Sequence, residues 1–513
     1  MSLVKSTATI GGYTLLSRLL GFARDVTIAS SLGASFLSDA FFVAFKLPNF
    51  LRRLFAEGAF NSAFVPMFAG MLAVEGEEKA KSFAGEAMSF LLLILLIVTG
   101  LFILFMPWLM FILAPGFSDD PEKFDLTVTL TRITMPYIIF ISLVSLLGGI
   151  LNSSDRFAAV AATPVIMNLC LIIIPFFIGP LTPTGAHALA VAVMLSGIAQ
   201  WGWLVYFCRK RGMLPKLVRP RLTPEVRKLL LLIAPAALGA GVAQINLFID
   251  LIIASQFDSG VSYLYYADRI NELPLAVIGI AVGTALLPML SRLVREGNHE
   301  EATRRHNRAI ELSLFLCLPA AVALVVIAEP IITVIYQRGA FGMMDTVATY
   351  RALIAFAIGL PAFILVKIIS PAFYAHHDTK TPVKVAMFCI FINLVFNLLL
   401  MIPLRHVGMA LATSIAGWVN VILMTVILMR RSWFIPSADL LHQGGKILLA
   451  SAAMALCLWV MQPHAMEYMQ SGEIIRALVL LLLVCSGAGV YFVAGIACNT
   501  LGCRTALMRL LKK

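Results

Sequence analysis

The chain has 513 residues, 60% hydrophobic and 13% charged, with a mean hydropathy of +0.93. A soluble protein of this size keeps about a quarter of its residues charged, so the composition excludes a soluble globular enzyme and points to an all-α polytopic membrane protein. The formal charge of +12 fits the topology of such a protein, whose basic loops mark one side of the bilayer. It does not require nucleic acid, and membrane lipids are the surroundings it implies.

Apolar segments long enough to cross hydrocarbon follow one another near 3–31, 36–68, 86–112, 127–152, 158–179, 184–207, 226–256, 262–290, 309–335, 348–374, 382–402, 406–429, 446–461 and 474–498. They predict about 14 transmembrane helices, because runs of this length exceed any strand and an open sheet cannot satisfy its backbone in lipid. Arg18, Arg24 and Asp25 interrupt the first segment, so it reads as a retained helix, not a cleaved leader. No stretch is polar and long enough to fold separately in water.

Basic residues set the orientation. With the N-terminus inside, cytoplasmic segments hold 26 of the 39 Lys and Arg, whereas Lys123, Arg338 and Arg405 fall in extracytoplasmic loops. The richest basic segment is 208–228, with Arg209, Lys210, Arg211, Lys216, Arg219, Arg221, Arg227 and Lys228. This bias predicts a multi-pass protein with both termini in the cytoplasm.

The chain also repeats itself. Residues 29–67 and 254–289 share an Ala-Ser helix exit, a polar turn, an Asp, a Leu-Pro break and a small-residue run ending in Pro-Met. The offset covers six helices, so orientation is kept and the repeats are parallel. Two six-helix lobes follow, 1–207 and 226–430, joined by a basic cytoplasmic linker at 208–228. Residues 431–513 hold two further helices and a tail.

Ten basic residues lie within spans, where each charge near mid-bilayer costs about 2.5–3.5 kcal/mol on insertion scales. Arg132, Arg351 and Arg476 stand near helix starts and can reach the interface. The first two helices are richer, with Arg18, Arg24, Asp25, Asp39, Lys46, Arg52, Arg53 and Glu57. Asp39, Lys46 and Arg53 recur at seven-residue spacing, which puts them on one helix face. Such a stripe lines a protein interior or a water-filled cavity, either as internal salt bridges or as a ligand site. The basic excess, to which the second repeat adds Asp268 and Arg269, suits an anionic ligand, and arginine suits phosphate. Leu47-Pro48 and Leu273-Pro274 break helices at corresponding points of the two repeats, the pattern of a transport site. The GxxxG from Gly279 to Gly283 is explained by close helix packing.

A separate polar set comprises Asp250, Asn393, Asn397 and Thr413. Its oxygens could hold Na⁺ or relay a proton, or could equally serve as interhelical hydrogen bonds. His376-His377 reads as a solvated loop pair. The eight cysteines, Cys170, Cys208, Cys317, Cys389, Cys457, Cys485, Cys498 and Cys503, include no CxxC and read as packing residues. GxxxxGK[ST], HExxH and GxSxG are missing. The sequence thus offers no enzyme constellation, no cofactor and no ATP site, and transport would draw on an ion gradient or the membrane potential.

Several motifs carry a resemblance. They are Ser17-Arg18-Leu19-Leu20-Gly21-Phe22-Ala23-Arg24-Asp25, Asp39-Ala40-Phe41-Phe42-Val43-Ala44-Phe45-Lys46-Leu47-Pro48-Asn49, Arg52-Arg53, Phe55-Ala56-Glu57-Gly58-Ala59-Phe60, Ala114-Pro115-Gly116-Phe117, Tyr265-Tyr266-Ala267-Asp268-Arg269 and Lys380-Thr381-Pro382-Val383-Lys384. Through these the chain resembles the MurJ (MviN) family of the multidrug/oligosaccharidyl-lipid/polysaccharide exporter superfamily, from the N-terminus to about residue 430. The resemblance implies two lobes in a V around a central cationic cavity, in the bacterial cytoplasmic membrane. It also implies a lipid II flippase that moves undecaprenyl-pyrophosphate-linked disaccharide-pentapeptide outward for peptidoglycan synthesis, with other cell-wall synthesis proteins as partners. The family's cavity arginines fall on Arg18, Arg24, Arg52 and Arg269, and its important acids on Asp39 and Glu57. Some members bind Na⁺ at positions matching Asp250, Asn393, Asn397 and Thr413, with an acid in place of Asn397 in at least one. The last two helices would form an apolar groove for the polyprenyl tail. Flipping of another polyprenyl-pyrophosphate oligosaccharide, and a non-transporting scaffold for wall synthesis, are the alternative readings.

Overall fold

The computed structural model describes residues 3–53, 60–154 and 156–502, with side chains left out at 3–8, 236–243 and 280. Glu57 and Cys503 lie outside the described residues. Among these residues every regular element is helical, as lipid demands, since a helix satisfies its backbone within itself. Among the described residues, ten helices are long and apolar enough to cross a membrane.

Two compact units divide between Ser262 and Tyr263. The first contains α1 (Leu3–Leu32), α2 (Phe36–Leu51), α3 (Asn61–Val74), α4 (Glu77–Leu104), α5 (Met106–Leu113), α6 (Pro121–Thr134), α7 (Tyr137–Asn152), α8 (Phe157–Ala161), α9 (Thr163–Ile178), α10 (Gly185–Lys210) and α11 (Pro224–Ala254). The repeat in the sequence would cut the chain before α11. Compactness cuts after it, because α11 packs on α3, α4 and α5, and Phe248 meets Phe50 edge-on at 4.3 Å.

The core of this unit is α2, whose Phe41, Phe42 and Phe45 are buried as it packs between α6 and α10. Thr134 of α6 donates its hydroxyl to the Ala44 carbonyl at 2.8 Å and ties the two helices. At the α5–α6 link, a Cβ on Gly116 would sit 2.3 Å from the Ser255 carbonyl oxygen. Only glycine allows that approach, and the Gly116 amide donates to Ser255 Oγ at 3.2 Å.

Helix α12 (Gly260–Pro274) crosses the division, and the second unit continues with α13 (Ile280–Arg295), α14 (His299–Val326), α15 (Ala328–Tyr336), α16 (Met343–Ala375), α17 (Lys380–Arg430), α18 (Ala438–Glu467) and α19 (Glu473–Ala497). Within α17 the backbone reverses at Arg405 (φ 50°, ψ −132°), so the predicted segments 382–402 and 406–429 are its two halves. Helix α16 lies at the centre of this unit, packed by α13, α14 and α17. Gly283 permits the α13–α16 contact, since a Cβ there would stand 2.8 Å from the Lys367 carbonyl oxygen.

One loop differs from its sequence reading. His376 is not simply solvated. Its ring stacks on Trp433 at 4.1 Å and 9°, and its Nδ1 lies 2.8 Å from the Ala372 carbonyl. The turn is built by His377 in left-handed backbone (φ 58°), with the Asp378 amide reaching back to the Phe373 carbonyl as at many helix ends.

Candidate functional site

Arg24 and Asp25 of α1, and Asp39 of α2, anchor two buried networks in the first unit. In α1, Arg24 and Asp25 are both buried. The guanidinium donates to Asp25 Oδ1 from Nη2 at 2.6 Å and from Nε at 3.0 Å. Its Nη1 donates to Asn168 Oδ1 of α9 at 3.0 Å. Asn168 in turn donates through Nδ2 to the Ser17 carbonyl at 2.9 Å. The arginine is therefore held on two edges by α1 and α9, and its cost of burial is offset by charge-assisted bonds.

The second network is centred on Asp39, which is fully buried. Lys123 Nζ donates to Oδ2 at 2.8 Å, while the Ser262 amide and hydroxyl donate to Oδ1 at 2.9 and 2.6 Å. Ser38 and Ser262 share a hydroxyl hydrogen bond at 2.8 Å. Lys123 stands 4.0 Å above the ring of buried Phe117, a cation–π contact. This corrects the sequence reading of Lys123 as a loop residue. Asp120 caps α6 by accepting from the Glu122 and Lys123 amides, with Pro121 opening the helix. That cap places Lys123 in the first turn, where its stem turns inward. The Ala114-Pro115-Gly116-Phe117 motif thus has a physical role, since Gly116 seats the link and Phe117 floors the lysine.

The remaining expected residues are spread by exposure. Lys46 and Arg52 are half-buried, whereas Arg18 and Arg53 are exposed. Asn49 Oδ1 accepts from Arg52 Nε at 3.2 Å, and Asn49 Nδ2 donates to the Phe45 carbonyl at 3.1 Å. In the second unit Asp268 is exposed, and Arg269 pairs with Glu272 at 3.2 Å.

Both Leu-Pro breaks take the same backbone form. After Pro48, residues 52, 53 and 60 lie in π-helical backbone. After Pro274, Leu275–Gly279 is a π-helix. Proline removes an amide donor from the ladder, and a π turn is one way a helix absorbs that loss, often at functional positions.

The polar set falls in two places. Asp250 accepts from Asn246 Nδ2 at 3.2 Å in the first unit. In the second, Asn397 Nδ2 donates to Asn393 Oδ1 at 2.9 Å and Asn393 Nδ2 to Thr413 Oγ1 at 3.3 Å. This row joins the halves of α17 and offers oxygen donors of the type Na⁺ takes. Among the described residues no group of three or more His, Cys, Asp or Glu could hold a metal ion.

Sequence reading missed Asn168, Ser262, Glu272 and the role of Lys123. Asn168 had a visible signal, being a lone amide in the apolar run of α9.

The architecture and the charges sealed in its spans are those of a multi-pass membrane transporter. The fold matches an inward-facing multidrug resistance MATE transporter of the MOP superfamily with a TM-score of 0.69, at 16% identity, over 81% of this chain and 94% of that one. A closer match is a structure titled "Lipid II flippase MurJ, inward closed conformation", with a TM-score of 0.79 and 28% identity, over 96% of this chain and 98% of that one. Residues 28–480 match the family model described as "Lipid II flippase MurJ". "Lipid II flippase MurJ" of Burkholderia cenocepacia is 35% identical over 89% of this chain and 89% of its own length. "Probable lipid II flippase MurJ" of Rhizobium tropici is 42% identical over 96% of this chain and 94% of its own. The chain belongs to the MurJ family.

Proposed function

We propose that this protein is a lipid II flippase of the bacterial cytoplasmic membrane, carrying the undecaprenyl-pyrophosphate disaccharide-pentapeptide from the inner to the outer leaflet. The observation that carries this reading is the match of residues 28–480 to the lipid II flippase family. The fold likeness to exporters supports alternating access.

In this reading both termini are cytoplasmic, as the Lys and Arg distribution favours, and the parallel repeats act as two lobes. Arg18, Arg24, Arg52 and Arg269 bind the pyrophosphate, whose oxygens suit their planar forks. Asp25 and Asn168 fix the guanidinium of Arg24. Lys46, Arg53, Asp25, Asp268 and Glu57 complete the charged set, and Asp39 with Lys123 secures the local frame. A membrane potential, inside negative, favours return of the positive, empty site toward the cytoplasm. Asn393, Asn397 and Thr413 supply oxygens for a coupling Na⁺. The reaction makes and breaks no covalent bond, so the protein acts as a carrier and not as an enzyme.

The test is complementation of a strain depleted of its own flippase. Wild type restores growth and normal wall, whereas Arg24→Ala and Arg269→Ala, at equal membrane levels, do not. Normal growth of both variants would remove the arginine assignment.

A further inference from the structure

The basic linker between α10 and α11 is an ordered strap with its own contacts. Gly212 closes α10 in left-handed backbone (φ 68°), with the Met213 amide donating to the Cys208 carbonyl, a Schellman end. Thr223 then caps α11. Between them Met213 and Pro215 are buried, and the chain lies along one side of α4. A Cβ on Gly85 would stand 2.5 Å from the Lys216 carbonyl oxygen. The Val218 amide donates to Ser89 Oγ at 2.9 Å, and Thr223 Oγ1 donates to Glu86 Oε2 at 2.9 Å.

These anchors fix the strap's depth. Within residues 85–89 lie Glu86, the last charged residue of α4, and Ser89, the last polar residue before the apolar run that starts at Phe90, so the strap sits where a span enters hydrocarbon. Leu217, Val218 and Leu222 are 64, 45 and 59% exposed, beside exposed Lys216, Arg219 and Arg221. A topology signal needs only positive charge in a loop of any conformation. It does not need a backbone pinned at the interface with apolar side chains turned outward among cations. That combination matches the boundary of an anionic leaflet, with phosphate for the cations and acyl chain for the leucines.

We propose that residues 213–223 form a binding site for anionic phospholipid, in which Lys216, Arg219 and Arg221 take the headgroup and Leu217, Val218 and Leu222 meet the upper acyl chains. The leaflet follows from the orientation proposed above; the site itself does not depend on lipid II being the substrate.

The test uses the full chain in neutral detergent, labelled at Val218→Cys with an environment-sensitive fluorophore. All native cysteines outside the strap are replaced by serine or alanine. Dioleoyl phosphatidylglycerol, dioleoyl phosphatidylcholine and inorganic phosphate are titrated separately. The phosphatidylglycerol shifts emission to the blue at concentrations where phosphatidylcholine has no effect. Each basic side chain near an anionic surface contributes about fivefold, so Lys216→Gln/Arg219→Gln/Arg221→Gln weakens the response at least about tenfold. Gly85→Val lifts the strap from α4 and weakens it as well. Equal responses to the two lipids overturn the proposal, and this arm needs no charge variant to fold. So does an equal response from inorganic phosphate, which would mark a free-anion site, or an undiminished response in Gly85→Val. Loss of lipid II transport with phosphatidylglycerol binding intact would refute the function and leave this site standing.

Discussion

Replacing Lys123 by Met removes the cation that faces Asp39 and leaves the carboxylate buried with the two donors of Ser262. At 2.8 Å the gross attraction of the pair is roughly 6 kcal/mol at an effective dielectric of about 20, and desolvation of both groups offsets much of it. The net cost of removing one partner is therefore about 3–5 kcal/mol, most of it from the charge left behind. Asp39→Asn should cost a similar amount, since it leaves the Lys123 ammonium over Phe117 without its counter-ion. Asp39→Asn with Lys123→Met leaves no unpaired charge, and Asn still accepts from Ser262. The double variant should thus be more stable than the sum of the singles implies, by up to about 3 kcal/mol. The assay is a double-mutant cycle on denaturant unfolding of the full chain in detergent. Additivity within about 0.5 kcal/mol would refute the account of Asp39 and Lys123 as one unit.

Asn168→Ala removes the acceptor of Arg24 Nη1 and should destabilise the chain by about 1–3 kcal/mol in the same unfolding assay, with Asn168→Asp tolerated better. Gly116→Val forces a side chain against the Ser255 carbonyl and should cost about 1–3 kcal/mol, read as a lower melting temperature. Hydrogen bonds from the Thr381 side chain and then its amide, with a further contribution from Arg431, hold the Asp378 carboxyl well below the usual carboxylate range. A depressed folded value means that the stabilisation is complete above about pH 4, the unfolded value. It is lost as pH falls from there through the folded value. The melting gap between wild type and Asp378→Asn should therefore be constant near neutrality and narrow below about pH 4.

Most of the helical framework was legible because lipid imposes a simple rule on the backbone. Long apolar runs such as 184–207 and 348–374 became α10 and α16 with boundaries shifted by a few residues. Breaks were legible too, since Pro48 and Pro274 both lead into π-helical backbone. Partner choice was less so. Arg24 and Asp25 are neighbours in sequence, but Asn168 reaches them only because α9 packs on α1. Lys123 sits in a polar stretch that reads as loop, and only the capped start of α6 turns it toward Asp39. The seven-residue stripe from Asp39 to Arg53 predicted a shared face but not its gradient from buried Asp39 through half-buried Lys46 to exposed Arg53. Burial depends on which neighbours cover each turn, and periodicity carries no information on that.

The central claim is most directly tested by measuring lipid II at the outer leaflet of cells depleted of their own flippase. A periplasmic probe that cleaves only translocated lipid II gives the readout, with wild type and Arg24→Ala expressed at equal levels. The account predicts cleavage restored by wild type and absent with Arg24→Ala. A correctly inserted wild type that restores no cleavage would contradict it.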